Sequence, residues 1–300
     1  MRVTDRILSS NFITNLNFSS ERLYEAETRV LTNKRVNRAS DNPVDALSSM
    51  TIRTKLSEIE QYQRNINRSS SMLETTEGVV SELSDIFQRL STLTVQGASD
   101  GYGPNDKQSI AGEVNQLLEE VLNLANSRSE FVYIFAGTDN DSAPYQAVRD
   151  ESGEIIDVTT TGSGGAINGL IGENITIKTN VNGEDLFEKG ENLFQAIIQV
   201  RDHLREDDTT LLNDDINHIN DAAEKIYNTQ ASIGSRLNRI YSAESRAEND
   251  VITYTEYLSD AEDIDASEAI MDYQMELLTL QASLQAGSML FEYKLVDFLR

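Results

Sequence analysis

The sequence predicts a mainly α-helical protein: an elongated antiparallel helical rod, or coiled-coil bundle, built from the N- and C-terminal halves of the chain. Two observations carry this prediction. Apolar residues recur at alternating spacings of three and four residues over both ends of the chain and over two long segments between them. Residues 138–190 have a different texture, rich in Gly, Thr, Asn and Asp, and are expected to form a small β-rich outer domain inserted into the rod.

Composition limits the partners and the chemistry. The chain has 300 residues, a formal net charge of −25 and no cysteine. So acidic a protein repels nucleic acid and anionic membranes, and we expect neither as a partner. The lack of cysteine removes disulfides and the usual zinc sites. No run of about 18 apolar residues could span a bilayer, and the first residues lack the apolar stretch of a cleaved secretory signal.

The last predicted segment, residues 259–300, carries an apolar stripe on a single helix. Its members have the spacing of a coiled-coil seam. A lone helix cannot bury such a stripe, so the helix must pack on others, in its own chain or in a neighbour. Asp265 with Glu268 is expected to cap its start. The stripe consists of Ile270, Tyr273, Leu277, Leu280, Leu284, Gly287, Phe291 and Phe298.

The first predicted segment, residues 1–43, is a helix followed by a polar linker. Residues 1–44 carry seven basic and five acidic side chains, a net of +2, whereas residues 245–300 carry three basic and twelve acidic ones, a net of −9. Opposite charges favour pairing of the two terminal helices; two unrelated solvated faces are the alternative. The N-terminal stripe consists of Phe12, Leu16, Ser19, Leu23, Ala26 and Val30.

Residues 44–137 are expected to form the N-terminal half of the rod. Ser40, Asp41 or Asn42 can cap a helix that begins at about residue 44, and a repeat of seven residues predicts a helix roughly 80 Å long. Residues 101–105 form a turn, after which a third helix is expected to complete an antiparallel hairpin. The heptad repeat consists of Ile52, Ile59, Ile66, Leu73, Val80 and Phe87.

Residues 191–258 are expected to form the C-terminal half of the rod, packed on the long helix of the N-terminal half. The four-three stripe of this half has two polar members, Gln230 and Glu244. A buried polar group at such a position can fix helix register. Alternatively, the stripe turns partly to solvent there, and the sequence leaves both options open.

Within the inserted domain, two strands can be predicted. Residues 154–158 form one, and residues 175–181 alternate in another, followed by Asn182-Gly183 with the chemistry of a tight turn.

Candidate chemical sites are few. Asp202-His203 and Asp214-Asp215 with His218 have helical carboxylate–imidazole spacings that could hold a divalent metal, but solvated acidic helices explain them better. We find no nucleophile in a recognisable frame and no dinucleotide loop. The sequence therefore predicts no catalytic residue, no cofactor and no metal site, and the protein is not expected to be an enzyme.

Four stretches resemble the bacterial flagellin family. Residues 35–46 (RVNRASDNPVDA) are similar to the signature after the family's first helix, and residues 125–126 with 133–138 (YIFAGT) to the end of its N-terminal half. Residues 233–239 (IGSRLNR) match the opening of the C-terminal half, and residues 258–269 the acidic linker before the last helix. Together they cover both halves, in the family's order.

Within this family, Asn42-Pro43-Val44, residues 135–138 and residues 293–300 resemble the branch that forms the junction between hook and filament. Asn42 departs from the family, which more often has an aspartate there. The resemblance implies an extracellular structural subunit at that junction, exported by the flagellar secretion apparatus without a cleaved signal peptide. A filament-forming flagellin with a short outer domain is the nearest alternative, and a soluble coiled-coil adaptor is the alternative from another class.

The implied partners are neighbouring copies of the chain, the preceding hook-associated junction protein, flagellin, and an export chaperone at the C-terminal segment. We expect the terminal segments 1–43 and 259–300 to be disordered in the monomer and to fold against neighbouring subunits. The predicted assembly interface consists of Phe12, Leu16, Leu23, Val30, Ile270, Tyr273, Leu277, Leu280, Leu284, Phe291 and Phe298.

Overall fold

The computed structural model describes residues 2–99, 101–129, 132–139, 141–162 and 164–298, with the side chains of residues 2–5, 8 and 290–298 outside this description. The chain divides into two compact units. The terminal unit comprises Met1–Glu58 and Asn249–Arg300, and the central unit comprises Ile59–Glu248. These boundaries fall inside two long helices; the five-segment division predicted above cuts the chain elsewhere and stays a prediction.

Helices dominate the described residues, and side-chain caps explain where several of them begin. The Asn42 Oδ1 atom accepts hydrogen bonds from the backbone N–H groups of Val44 and Asp45, at 3.1 and 3.3 Å. Asp265 caps the last helix in the same way, as predicted. The helices are α1 (Arg2–Thr32), α2 (Pro43–Ala98), α3 (Pro104–Ala125), α4 (Leu193–Glu206), α5 (Thr209–Glu262) and α6 (Ala266–Phe298).

Short antiparallel strand pairs lie between α3 and α4. They are followed by a π-helical segment, Glu184–Glu188. The predicted class, mainly α with a small β-rich insertion, is confirmed. The pairs are β1 (Arg128–Ser129) with β2 (Val132–Tyr133), β3 (Tyr145–Arg149) with β4 (Ile155–Thr160), and β5 (Asn168–Gly172) with β6 (Ile175–Lys178).

The prediction of a tight turn at Asn182-Gly183 is wrong. Gly183 has helical backbone angles (φ −60°, ψ −40°) and leads into the π-helical segment, while its N–H donates to the carbonyl oxygen of Phe135 at 3.1 Å. The strand β6 pairs with the preceding β5, and the chain reverses between them at Asn174, whose φ of 57° is one that asparagine tolerates. An Asn-Gly pair indicates a turn only when a partner strand follows it, and here none does among the described residues.

The helices of the central unit cover one another's apolar stripes. The Gln230 side chain of α5 donates to Glu77 of α2 at 3.3 Å, and the Tyr241 hydroxyl donates to Glu74 at 3.1 Å, so the two helices run antiparallel. Gln230, at this contact, is half-buried, and Glu244, further along α5, is half-buried too. The fully buried members of the two stripes include Ile66, Leu73, Val80, Phe87, Leu212, Ile219, Ile226, Ile233 and Ile240.

Polar side chains of the helices hold the β-rich insertion. Asn126, at the end of α3, accepts from the Tyr145 N–H at 3.0 Å and donates to the Tyr145 carbonyl at 2.9 Å, in place of a neighbouring strand. The buried Arg201 of α4 donates to the carbonyl of Ile155 in β4 at 2.6 Å and to Asn115 of α3 at 3.1 Å. Because buried polar groups must be paired, these contacts fix the insertion on α3 and α4.

An aromatic cluster completes the core beside the insertion. The fully buried Phe187 ring lies 5.2 Å from Phe135 and Tyr145, and 5.3 Å from Phe194, between ring centres. Three parts of the chain therefore meet on one side chain.

Replacing Phe187 with alanine should lower the free energy of unfolding of the central unit by about 3–5 kcal/mol, because it removes buried area and leaves a cavity. Urea unfolding followed by circular dichroism measures this loss. Tyr227→Ala is the matched control, since Tyr227 is about half exposed on α5, and it should change stability by less than about 1 kcal/mol. Equal losses in both variants would contradict the assignment of Phe187 to the core.

Candidate assembly site in the terminal helices

The two terminal helices pair antiparallel in the terminal unit. The Phe12 ring of α1 lies over Gly287 of α6: a Cβ atom placed on Gly287 would be 2.1 Å from the ring. Further along the same pair of helices, Arg22 of α1 and Glu276 of α6 form an ion pair at 3.5 Å. The pairing agrees with the opposite net charges of the two segments and fixes the register of α1 on α6.

This pairing covers the predicted stripes only in part. Of the predicted interface residues whose side chains are described, seven are half-buried, and Ile270 and Leu284 are exposed. Ser19 and Ala26, the two small members of the predicted N-terminal stripe, are buried, and so is Ala269 of α6. Phe291 and Phe298 lie outside the described side chains. The half-buried residues are Phe12, Leu16, Leu23, Val30, Tyr273, Leu277 and Leu280.

A second set of apolar side chains on the same helices points into solvent, and the sequence reasoning missed it. Each of these side chains is more than half exposed. Several directly follow a member of the predicted stripe, so a search for one four-three stripe per helix assigned them to the polar face. We define the members that share one side of their helix as the outer apolar face: Ile13, Tyr24 and Leu31 of α1, and Met271, Met275, Leu278 and Met289 of α6. Phe18 is exposed on another side of α1.

A buried carboxylate ties the terminal helices to α2 and α5. The Glu262 side chain, in the last turn of α5, accepts from Lys34 Nζ at 2.6 Å and from Arg53 Nε at 2.8 Å. Its carbonyl oxygen accepts from the Arg35 N–H at 2.6 Å, and Lys34 forms an isolated β-bridge with Asp263. The α1–α2 linker and the α5–α6 linker therefore meet at one residue, which we call the Glu262 clamp.

Electrostatics keep the clamp charged. The hydrogen bonds from Arg53, and then those from Lys34, hold the pKa of Glu262 at about 2, below its ordinary value of 4.5, although burial acts in the opposite direction. Since the folded-state pKa is depressed, the clamp stabilises the terminal unit fully above about pH 4.5 and loses this contribution as the pH falls towards 2.

The two histidine–carboxylate pairs of the central unit do not form a comparable site. His203 contacts Asp215 at 2.8 Å and His218 contacts Glu191 at 3.1 Å. Burial raises the pKa of Asp215. Among the described residues, no group of three or more His, Asp or Glu side chains is placed to hold a metal ion.

Glu262→Gln tests the clamp. A pKa depression from 4.5 to about 2 corresponds to roughly 3 kcal/mol, and solvent around the half-exposed Arg53 reduces the expected loss to about 2 kcal/mol. Thermal unfolding followed by circular dichroism should show the variant less stable at pH 7. The difference from the unaltered protein should shrink as the pH falls from about 4.5 towards 2, because both proteins then lack the charge.

The matched control is Glu256→Gln, a change at an exposed carboxylate of the same helix, and it should behave like the unaltered protein at every pH. A stability difference for Glu262→Gln that stays constant between pH 7 and pH 2.5 would contradict the charged clamp.

Comparisons with known proteins identify relatives of this chain. Residues 3–139 match the model of the bacterial flagellin N-terminal helical region. The flagellar hook-associated protein 3 of Escherichia coli is 24% identical over 90% of this chain and 96% of its own length. A flagellin of Clostridium tyrobutyricum is 31% identical over 42% of this chain, which spans about a third (34%) of that relative.

The fold is also that of a solved structure, the flagellar junction protein FlgL from Legionella pneumophila. That structure is 15% identical, with a TM-score of 0.60, and the match covers 73% of this chain and 100% of the solved one. Among the described residues, none of the helices is long and apolar enough to cross a membrane. The chain therefore resembles the bacterial flagellins in the N-terminal helical region at residues 3–139, and hook-associated protein 3 over most of its length.

Proposed function

We propose that this protein is an extracellular structural subunit of the bacterial flagellum that forms the junction between hook and filament, and that its terminal helices join neighbouring copies. The observation that carries the proposal is the outer apolar face of α1 and α6. A soluble monomer rarely leaves so many large apolar side chains on adjacent helices in water, and such patches mark interfaces.

The energetics favour closure of this face by other copies. Burial of apolar surface contributes about 25 cal/mol per Å², so a face of seven large side chains supports a lasting contact once another helix covers it. A surface that contacts a different surface on the next copy generates a ring or a helical array. Either arrangement suits a junction between two tubular parts of one appendage.

The order of the terminal helices in the isolated chain stays a prediction. The pair α1–α6 buries few large side chains, and most helical stability comes from packing. We therefore expect the pair to be marginal in the monomer and firmly ordered in the assembly. Limited proteolysis should trim both ends of the monomer before the central unit, and ends that resist as long as the central unit would contradict this expectation.

The finer partners belong to the same proposal. Similarity to hook-associated protein 3 over nearly the whole chain supports the preceding hook-associated junction protein on one side and flagellin on the other. Export through the flagellar secretion apparatus without a cleaved signal, with a chaperone on the C-terminal segment, follows the resemblance to the flagellin family.

Immunogold labelling of flagella tests the location. Cells that produce this protein as the sole copy of its kind should show gold in one band beside the hook. Labelling along the whole filament would instead identify a filament-forming flagellin, and unlabelled flagella would overturn the proposal.

Leu278→Asp tests the outer apolar face. A carboxylate there should resist burial against another copy and should lower the amount of the protein in isolated flagella at least tenfold. Gln274→Asp is the control, because Gln274 is an exposed polar residue of the same helix, and it should be incorporated normally. Quantitative immunoblotting of isolated flagella measures both, and normal incorporation of Leu278→Asp would exclude this face from the interface.

A further inference from the structure

We infer that a basic cavity beside the α1–α2 linker receives an acidic face of α5 from a neighbouring copy of this chain. This inference rests on the proposed function, because it needs copies that assemble. It names a second contact, which adjoins the outer apolar face at Tyr24.

The cavity has a volume of about 500 Å³ and lies between the last turns of α1 and residues 35–42 of the linker. Arg29 and Arg38 are among its lining residues, together with the exposed Tyr24 and the buried Val36. It therefore combines guanidinium groups with an apolar floor, a combination that suits a carboxylate on a partly apolar helix.

The charge of this part of the chain is exceptional. Residues 29–38 contain four basic and no acidic side chains, in a protein with a net charge of −25. Lys34 and Arg35 are already paired with Glu262 and Asp45. Among the described residues, Arg29 and Arg38 have no carboxylate within ion-pair distance, so two cations remain for a partner.

The carboxylates in the cavity wall neutralise these cations only in part. Asp41 accepts from the backbone N–H groups of Arg38 and Asn37 at 2.8 and 3.0 Å, and these bonds, together with the charge of the Arg38 side chain, hold its pKa low. Glu25 lines the cavity one turn before Arg29 without forming an ion pair with it in the described structure.

A complementary surface lies on the last turns of α5. Ile252, Glu256 and Asp260 follow one another at intervals of four residues, so they share one face of the helix, and all three are exposed. No lysine or arginine occurs between Arg246 and Lys294. This face offers two carboxylates beside an apolar side chain, which matches the two guanidiniums and the apolar floor of the cavity.

Two different surfaces of opposite charge on one chain make a head-to-tail contact. Within the described part of the chain, neither Arg29 nor Arg38 forms an ion pair with this α5 face. Between copies, the cavity of one subunit takes the α5 face of the next, and repetition yields a closed ring or a helical array. Another acidic protein could compete for the cavity, and the experiment below separates that case.

Cysteine cross-linking tests the contact directly, because the chain has no cysteine. Flagella are isolated from cells whose only copy of the protein is the double variant Arg38→Cys/Asp260→Cys, and are then oxidised. We expect dimers and longer ladders of this protein, at least tenfold above either single variant. Monomer alone, an intramolecular cross-link, or no excess over the single variants would overturn the inference.

A charge swap provides the second test. Arg38→Glu should lower incorporation into flagella at least tenfold, and adding Asp260→Arg should restore most of it. Arg68→Glu, a change at an exposed arginine of α2, should leave incorporation unchanged. Failure of Asp260→Arg to rescue, with both proteins folded by circular dichroism, would point to a different occupant of the cavity and overturn the inference.

The unaltered protein distinguishes failure of this contact from failure of the proposed function. If it is found in isolated flagella while both tests fail, this contact is wrong and the proposed function stands. If the unaltered protein itself is absent from flagella, the proposed function and this contact are overturned together.

Discussion

The covering of apolar helix faces is the constraint on which this molecule depends. In the central unit, the stripes of α2 and α5 and the packing of α3 and α4 leave the large side chains such as Phe87 and Leu118 fully buried. In the terminal unit, two helices cover only one side of each other, and large residues such as Phe18 and Leu278 stay in water. The same physical rule thus gives a central unit that buries its own large side chains and a terminal unit that leaves several of them exposed.

Charged side chains position the linkers of the terminal unit, where apolar packing does not. A basic linker in a strongly acidic chain meets a buried carboxylate at Glu262, and the contact joins the first turns of α2 to the last turn of α5. A buried carboxylate is costly without partners, and here a guanidinium and an ammonium group satisfy it. Charged side chains therefore define where the linkers meet, a role that apolar side chains, which lack direction, could not fill.

Local patterns in the sequence were enough to predict the helices, the long stripe of α2 and the cap at Asp265, because these depend on neighbours within one or two turns. For α2 they left Ser40, Asp41 and Asn42 as candidate caps, and the structure selects Asn42. The Asn182-Gly183 turn failed because strand pairing depends on a partner elsewhere in the chain. The Glu262 clamp could not be predicted, since its acid sits in a run of similar acids and its cations come from residues 34 and 53. The outer apolar face was not predicted, because the exposure of its side chains depends on which side of α6 packs against α1.

The contact of Phe12 with Gly287 has a consequence for movement along the helices. The ring fits against α6 where a side chain is missing, and one heptad away its place would be taken by Leu280. Sliding of one helix past the other is therefore opposed by a steric stop. If α1 and α6 separate and associate again, they should return to the same axial position. Gly287 therefore sets the alignment of the two helices.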